Sequence, residues 1–268
     1  MMKNKISIIG GGNLGKSIAL GLIKSKKYKP SEVIVTRRNL DKIKDLSEKG
    51  IEITDDNAYA VLSADIVVFC LKPYKIKQVL EKLKPELLEG KPMIVSTVTG
   101  FTLQNMTDVL GSSLDLFRAM PNTAISVGES MTCISTNSNN KDNIEFINSI
   151  FKAMGDSVII EDEHMAAATV LAASGIAFAM RYIRAAMQAG IEIGFSSDLS
   201  KQIVNQTVKG ASVLLQQNNL HPEFEIDKVT TPKGITISGL SKMELHGFSA
   251  SVTQGVLASY GKIKDVKE

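Results

Sequence analysis

Cysteine, histidine and unbalanced charge are all scarce in this chain of 268 residues. Its 2 cysteines, Cys70 and Cys133, fall in no CxxC or Cys/His spacing, and its 3 histidines, His164, His221 and His246, are far apart with no HExxH. Nothing therefore points to a zinc or iron site, and no metal is expected. Lys and Arg total 31 against 28 Asp and Glu, and a net charge of +3 leaves no electrostatic footprint for nucleic acid. The longest uncharged stretch, residues 165–180, falls short of the roughly 20 apolar residues of a bilayer span. It reads as a buried helix of a soluble protein, so no membrane partner is expected. No stretch ahead of the first strand reads as a leader, and a reducing, cytoplasmic compartment is expected. A GxSxG elbow is also lacking, which removes the usual anchor for acyl transfer through Ser, His and Asp.

What is present is a globular composition, 44% hydrophobic, enough for one or two cores. Residues 1–161 alternate β-branched runs at 5–9, 33–36, 66–70, 93–97 and 115–118 with amphipathic stretches. This grammar predicts an α/β fold, a Rossmann-type doubly wound parallel sheet with helices on both faces. A further strand pair is expected at 131–135 and 157–160, with Asn137-Ser138-Asn139-Asn140 capping the helix between them. Near Glu161 and Asp162 the pattern turns helical, so residues 162–268 form a second, all-α domain. Its Ala-rich first segment is too apolar for so small a helical half to cover alone. A second subunit is expected to supply the cover.

Gly10-Gly11-Gly12-Asn13-Leu14-Gly15 matches GxGxxG between a strand and a helical run. In that setting Gly10 permits the turn, Gly12 lets the backbone approach a pyrophosphate, and Gly15 lets helix pack on strand. The acid that would bind the ribose hydroxyls of NAD is missing after the second strand. Thr36, Arg37 and Arg38 stand there instead, with Asn39 following, and guanidinium groups suit the 2′-phosphate of NADP. NADP(H) is thus preferred, with NAD(H) possible. Leu71-Lys72-Pro73 and Asn122, after Pro121, leave strands at the same sheet edge, where a doubly wound fold keeps its ligands, and are expected to join the cofactor site.

With metal and acyl-transfer chemistry unsupported, hydride transfer remains. Residues 227–236 join two helical stretches with Thr231-Pro232-Lys233-Gly234-Ile235-Thr236. The backbone N–H groups of Gly234, Ile235 and Thr236 at a helix start suit a carboxylate, and Thr236 adds a neutral hydroxyl. A plain helix N-cap at Thr231, with Pro232 in the first turn, explains the same composition.

In order and spacing, the glycine loop, Leu71-Lys72-Pro73, Arg118-Ala119-Met120-Pro121-Asn122, His221-Pro222 and the block from Val229 to Ile237 resemble the pyrroline-5-carboxylate reductase family. The resemblance implies NAD(P)H reduction of a cyclic imine carboxylate to L-proline, the last step of proline biosynthesis. It also implies a homodimer through the helical domain, in some cases a ring of dimers. By position it implies that Thr236 hydrogen-bonds the imine nitrogen, that Thr231 and the Gly234, Ile235 and Thr236 amides hold the carboxylate, and that Asn57 joins the cofactor site.

The chain departs from the family pattern at three places. Ala173-Ser174-Gly175-Ile176-Ala177-Phe178 stands for Gly-Ser-Gly-Pro-Ala-Tyr, Lys233 for a glycine, and Ala124 for a proline. Gly194, Ser197, Lys201 and Asn205 come near the mark of β-hydroxyacid dehydrogenases, but one glycine is replaced and the segment falls one helix late. A non-catalytic NADP-sensing regulator is the other alternative, and it would have no need of the Thr231 to Thr236 turn.

Overall fold

A computed structural model describes residues 5–265, with side chains to Ile263. Its sheet follows from runs of β-branched residues whose successive side chains point to opposite faces. Strands β1 (Ile6–Ile9), β2 (Val33–Thr36), β3 (Glu52–Thr54), β4 (Ile66–Phe69), β5 (Met93–Ser96), β6 (Leu116–Met120), β7 (Ser130–Thr136) and β8 (Gly155–Ile159) form one sheet in the order β3-β2-β1-β4-β5-β6-β7-β8. Ile6, Ile8, Val33, Val35, Ile66 and Val68 face one core. Ile9, Ile34, Val67, Phe69 and Ile94 face the other.

The first core is closed by Ile18 and Leu22 of α1 (Asn13–Lys24), Leu46 of α2 (Lys44–Ser47), and Ile147, Ile150 and Phe151 of α6 (Lys141–Lys152). On the opposite face lie Val61 of α3 (Asn57–Leu62), Ile76, Leu80, Leu83 and Leu87 of α4 (Pro73–Gly90), and Met106 and Leu110 of α5 (Leu103–Leu110). The 3.6-residue spacing of the α4 leucines lays one stripe along the sheet.

Two sheet features depart from the expectation. The short strand β3 was not anticipated: its three residues are all half-buried and give no apolar run. And β7 pairs antiparallel to β6, with Arg118 opposite Ser135. Only the 3-10 turn Thr123–Val127 separates β6 from β7, whereas a parallel return needs a crossover of a dozen or more residues. Asn140 caps α6, accepting from the Asp142 and Asn143 amides at 3.0 and 3.2 Å.

Contacts divide the chain into two compact units, residues up to Ser174 together with those from Ser259, and Gly175–Ala258. In the first, β8 leads through the 3-10 turn Asp162–His164 into α7 (Met165–Ala168) and a π-helical turn, Thr169–Ser174. The second comprises α8 (Gly175–Glu192), α9 (Ser197–Asn218), α10 (Pro222–Lys228), α11 (Ile235–Leu245) and most of α12 (Phe248–Asp265). Ser196 caps α9 by accepting from the Leu199 amide at 3.3 Å, and Gly194 ends the preceding link at φ +108°.

The apolar run 165–180 is not one continuous α-helix. The short α7 buries Met165 and the π-turn that interrupts the run buries Thr169 and Val170, whereas within this chain α8 contains no buried residue. The whole helical stretch Asp162–Glu192 is, by length and composition, long and apolar enough to cross a membrane, and little of it is buried within the chain.

Candidate functional site

In the sheet unit the candidate loops gather at the carboxyl ends of the strands, around the switch point between β1 and β4, where a doubly wound sheet opens a crevice. Gly10 takes φ +113°, and a Cβ there would lie 2.4 Å from the Cys70 carbonyl oxygen. A Cβ on Gly15 would meet the Gly10 oxygen at 2.2 Å. Gly12 is the reverse: nothing lies within 4 Å of its Cβ position. The loop thus has a closed side against the sheet and an open side at the start of α1, which has no side-chain cap and no acid in its first turn. Such an open cradle beneath free helix N–H groups, among them those of Asn13 and Leu14, fits a pyrophosphate.

Strand β2 holds this loop. The Gly11 amide donates to the Thr36 carbonyl at 2.7 Å, and the Arg37 guanidinium donates to the Gly11 carbonyl. Thr36 is 2% exposed, so its carbonyl braces the loop from within the sheet. Arg38 is exposed, and its guanidinium has no partner among the described residues. Lys16, in the first turn of α1, is paired with Asp45 at 2.6 Å, and that hydrogen bond holds the Asp45 carboxyl below its usual range.

Neighbouring loops complete the edge. Leu71 reaches within 3.0 Å of the Gly10 Cβ position. Lys72 is the N-cap residue of α4 and Pro73 its first residue, where a proline's missing N–H costs nothing. Asn57 opens α3; Asp56 already caps that helix by accepting from the Ala58 and Tyr59 amides at 2.9 and 3.0 Å, which leaves the Asn57 carboxamide unengaged among the described residues. Asn122 is engaged on both ends of its carboxamide. Its amide donates to Ser130 Oγ at 3.1 Å, its Oδ1 accepts from the Ala124 amide at 2.9 Å, and its Nδ2 donates to the Ala172 carbonyl at 3.1 Å.

Sequence reasoning missed an ion pair beside this edge. Arg118, 4% exposed in β6, binds Asp162 Oδ1 at 2.6 Å, and Ser135 Oγ donates to the same oxygen at 2.7 Å. Arg118 Nε is buried without a partner. A lone cation inside the otherwise apolar strand Leu116–Met120 was the available signal, since a buried charge requires a partner.

The helical unit carries the second cluster. A helix cap at Thr231 does not form; the N-cap of α11 is Gly234, with no side-chain cap and no acid in the first turn. Instead Thr231 opens a tight turn, its carbonyl accepting from the Gly234 amide at 2.9 Å, with Pro232 second and Lys233 third at φ +60°. A positive φ at the third position is where such turns favour glycine, so lysine there is strained. A Cβ on Gly234 would strike Thr231 Oγ1 at 2.5 Å. Ile235 is 93% exposed and Thr236 half-buried; among the described residues neither the Thr236 hydroxyl nor the Lys233 ammonium has a partner. Free N–H groups, two threonine hydroxyls and a cation are chemically suited to a carboxylate.

Comparison with known proteins finds a match for each half of the chain. Residues 162–266 match the pyrroline-5-carboxylate reductase dimerisation domain, and residues 5–100 match the family described as NADP oxidoreductase coenzyme F420-dependent. Pyrroline-5-carboxylate reductase 1 of Dictyostelium discoideum is 42% identical over 97% of the chain, which spans 49% of that protein's length. Pyrroline-5-carboxylate reductase 2 of the same organism is 40% identical over 96% of the chain and 91% of its own length. Among solved structures, Plasmodium falciparum pyrroline carboxylate reductase with NADP bound superposes with TM-score 0.91 over 100% of both chains, at 26% identity. The chain belongs to the pyrroline-5-carboxylate reductase family.

Proposed function

We propose that this chain reduces 1-pyrroline-5-carboxylate to L-proline with NADPH as donor, NADH serving less well. The observation that carries the reading is the likeness to reductases over 96% of the chain, with family matches at residues 5–100 and 162–266 that span the glycine loop and the Thr231 to Thr236 turn. When bound, the nicotinamide supplies the hydride, which goes to the imine carbon while the nitrogen gains a proton. The chain's own residues do the rest. Gly10 to Gly15 seat the pyrophosphate, Arg37 and Arg38 take the 2′-phosphate beside Thr36, and Asn57 with Leu71, Lys72 and Pro73 line the remainder of the cofactor crevice. Thr231 and the amides of Gly234, Ile235 and Thr236 hold the substrate carboxylate. The Thr236 hydroxyl orients the imine nitrogen and relays a solvent proton to it, since a threonine hydroxyl is too weak an acid to protonate the ring alone.

On this reading residues 1–161 form the cofactor domain and residues 162–268 the substrate and dimerisation domain. The apolar surface of α8 is covered by a second copy, and dimers assemble further into rings. A cytoplasmic enzyme without nucleic-acid or membrane partners fits the near-neutral charge and the free cysteines. Loss of NADPH absorbance on adding pyrroline-5-carboxylate tests the activity. Turnover of 3-hydroxyacids with NADP instead, or of neither substrate, would replace it with a dehydrogenase or a non-catalytic sensor.

A further inference from the structure

We infer that Asn122 is a positioning residue, whose carboxamide holds the π-turn Thr169–Ser174 against the sheet's carboxyl edge and serves imine reduction through that turn without touching the cofactor. A π-turn closes i→i+5 rings, an uncommon geometry that neighbouring contacts must maintain. Here the contact comes from outside the helix: Asn122 Nδ2 donates to the Ala172 carbonyl at 3.1 Å. Within the turn Thr169 Oγ1 donates back to the Met165 carbonyl at 2.7 Å. Met120, two residues before Asn122, is buried with Cys133 and Met165, and Ala168 and Ala172 pack against this group.

The segment is therefore pinned at both ends by one strand and its exit loop. Arg118 of β6 grips Asp162 at its start, and Asn122 grips Ala172 near its end. The chain passes from the first compact unit to the second at Ser174, so the Asn122 bond acts on the last turn before that junction. One Oδ1 lone pair on the Ala124 amide and one Nδ2 hydrogen on the Ala172 carbonyl fix the plane of the carboxamide toward the turn, leaving one lone pair and one N–H.

Asn122→Ser separates the two bonds. A serine hydroxyl still caps the Ala124 amide, as serine commonly does, but is too short for the Ala172 carbonyl. Imine turnover number should fall about tenfold. The NADPH dissociation constant, read by the cofactor's own fluorescence, should stay within about twofold, and amide exchange in residues 169–174 should quicken about tenfold while α6 is unchanged. Asn122→Asp, which keeps size and cap but turns a carboxylate on the carbonyl, should lose more turnover with the same pattern. A fivefold or greater rise in the NADPH constant with unchanged exchange would make Asn122 a direct cofactor contact, and unchanged turnover would leave it a structural clip; either overturns the inference, as would failure of both variants to fold. The role rests on the imine-reductase reading, whose own failure appears separately as absence of turnover by the unaltered protein.

Discussion

Two helices of equal length, α4 and α8, each 18 residues, behave oppositely. The less apolar α4 buries Ile76, Leu80, Leu83 and Leu87 against the sheet, while α8, richer in alanine and methionine, buries nothing. The contrast extends to the two units. Strands β1, β2, β4, β5 and β6 are buried at every position. In α9 Ser200 is the sole buried residue, and α10 and α11 have none. Apolar sequence thus announces that a surface will be covered but not by what. The layered sheet supplies its own cover; the helical unit's cover lies outside the chain, in agreement with its match to a dimerisation domain.

The largest expected effect breaks that comparison directly. Met180 on α8 is 56% exposed in the single chain. If a partner copy covers it, Met180→Glu buries an unpaired charge and costs about 3–5 kcal/mol of dimer stability. Sedimentation should show monomer or aggregate. Tyr74 in the sheet unit is 79% exposed, and Tyr74→Glu should change stability by less than about 0.5 kcal/mol. Equal tolerance of both substitutions would mean that α8 is no interface.

Next in size is Thr236→Ala, in the turn that the helical unit contributes. Removing one pre-organised donor lowers turnover about 10²-fold, equivalent to about 2.7 kcal/mol, with NADPH affinity unchanged. Thr236→Ser should retain much of the rate, and Thr231→Ala should act mainly on the Michaelis constant of the imine. Small, equal losses in all three would reduce the turn to a simple helix start.

How far each region was legible follows the same division. Strands such as 66–69 are continuous β-branched or aromatic runs, and local composition suffices to find them. The glycine loop was legible because Gly10, Gly12 and Gly15 fall at the spacing of one local geometry. The antiparallel β7, the break at Thr169–Ser174 and the Arg118–Asp162 pair were not, because each depends on partners brought together only by folding; that ion pair spans 44 positions of sequence. The place of Asn122 at a strand exit is legible in the sequence, but the bond of its carboxamide to Ala172, from an element 50 residues on, is not.

A smaller effect distinguishes the two arginines. Arg38, unpaired and exposed, has phosphate binding as its only assigned role. Arg38→Ala should therefore raise the NADPH Michaelis constant about tenfold, about 1.4 kcal/mol, with little change for NADH. Arg37→Ala also frees the Gly11 carbonyl, so it should weaken both cofactors. If Arg38→Ala leaves NADPH untouched, the 2′-phosphate is held elsewhere.

The smallest prediction concerns alkaline pH and belongs to the sheet unit. Cys70, at the β4 exit beside the glycine loop, has its thiol pushed up to about 12 from an ordinary 9.0, chiefly by burial; donation from Thr97 Oγ1 at 3.5 Å works in the opposite sense. Because the folded state resists forming the thiolate, the stability this group contributes is complete below pH 9 and is lost as pH climbs toward 12, with the unfolded chain ionising first. Between pH 8 and 10 the loss should be about 1 kcal/mol. Burial also raises Cys133. Tyr28, lifted to about 12 by burial and by Asp65 and Glu32, adds its share only above pH 10. Urea midpoints at pH 8 and 10 for the unaltered protein and for Cys70→Ala test this through the difference between the two pH values, since the alanine also changes packing. A Cys70→Ala protein that loses as much between the two pH values as the parent would show that the thiol at this edge is open to solvent, and the closed side of the nucleotide loop with it.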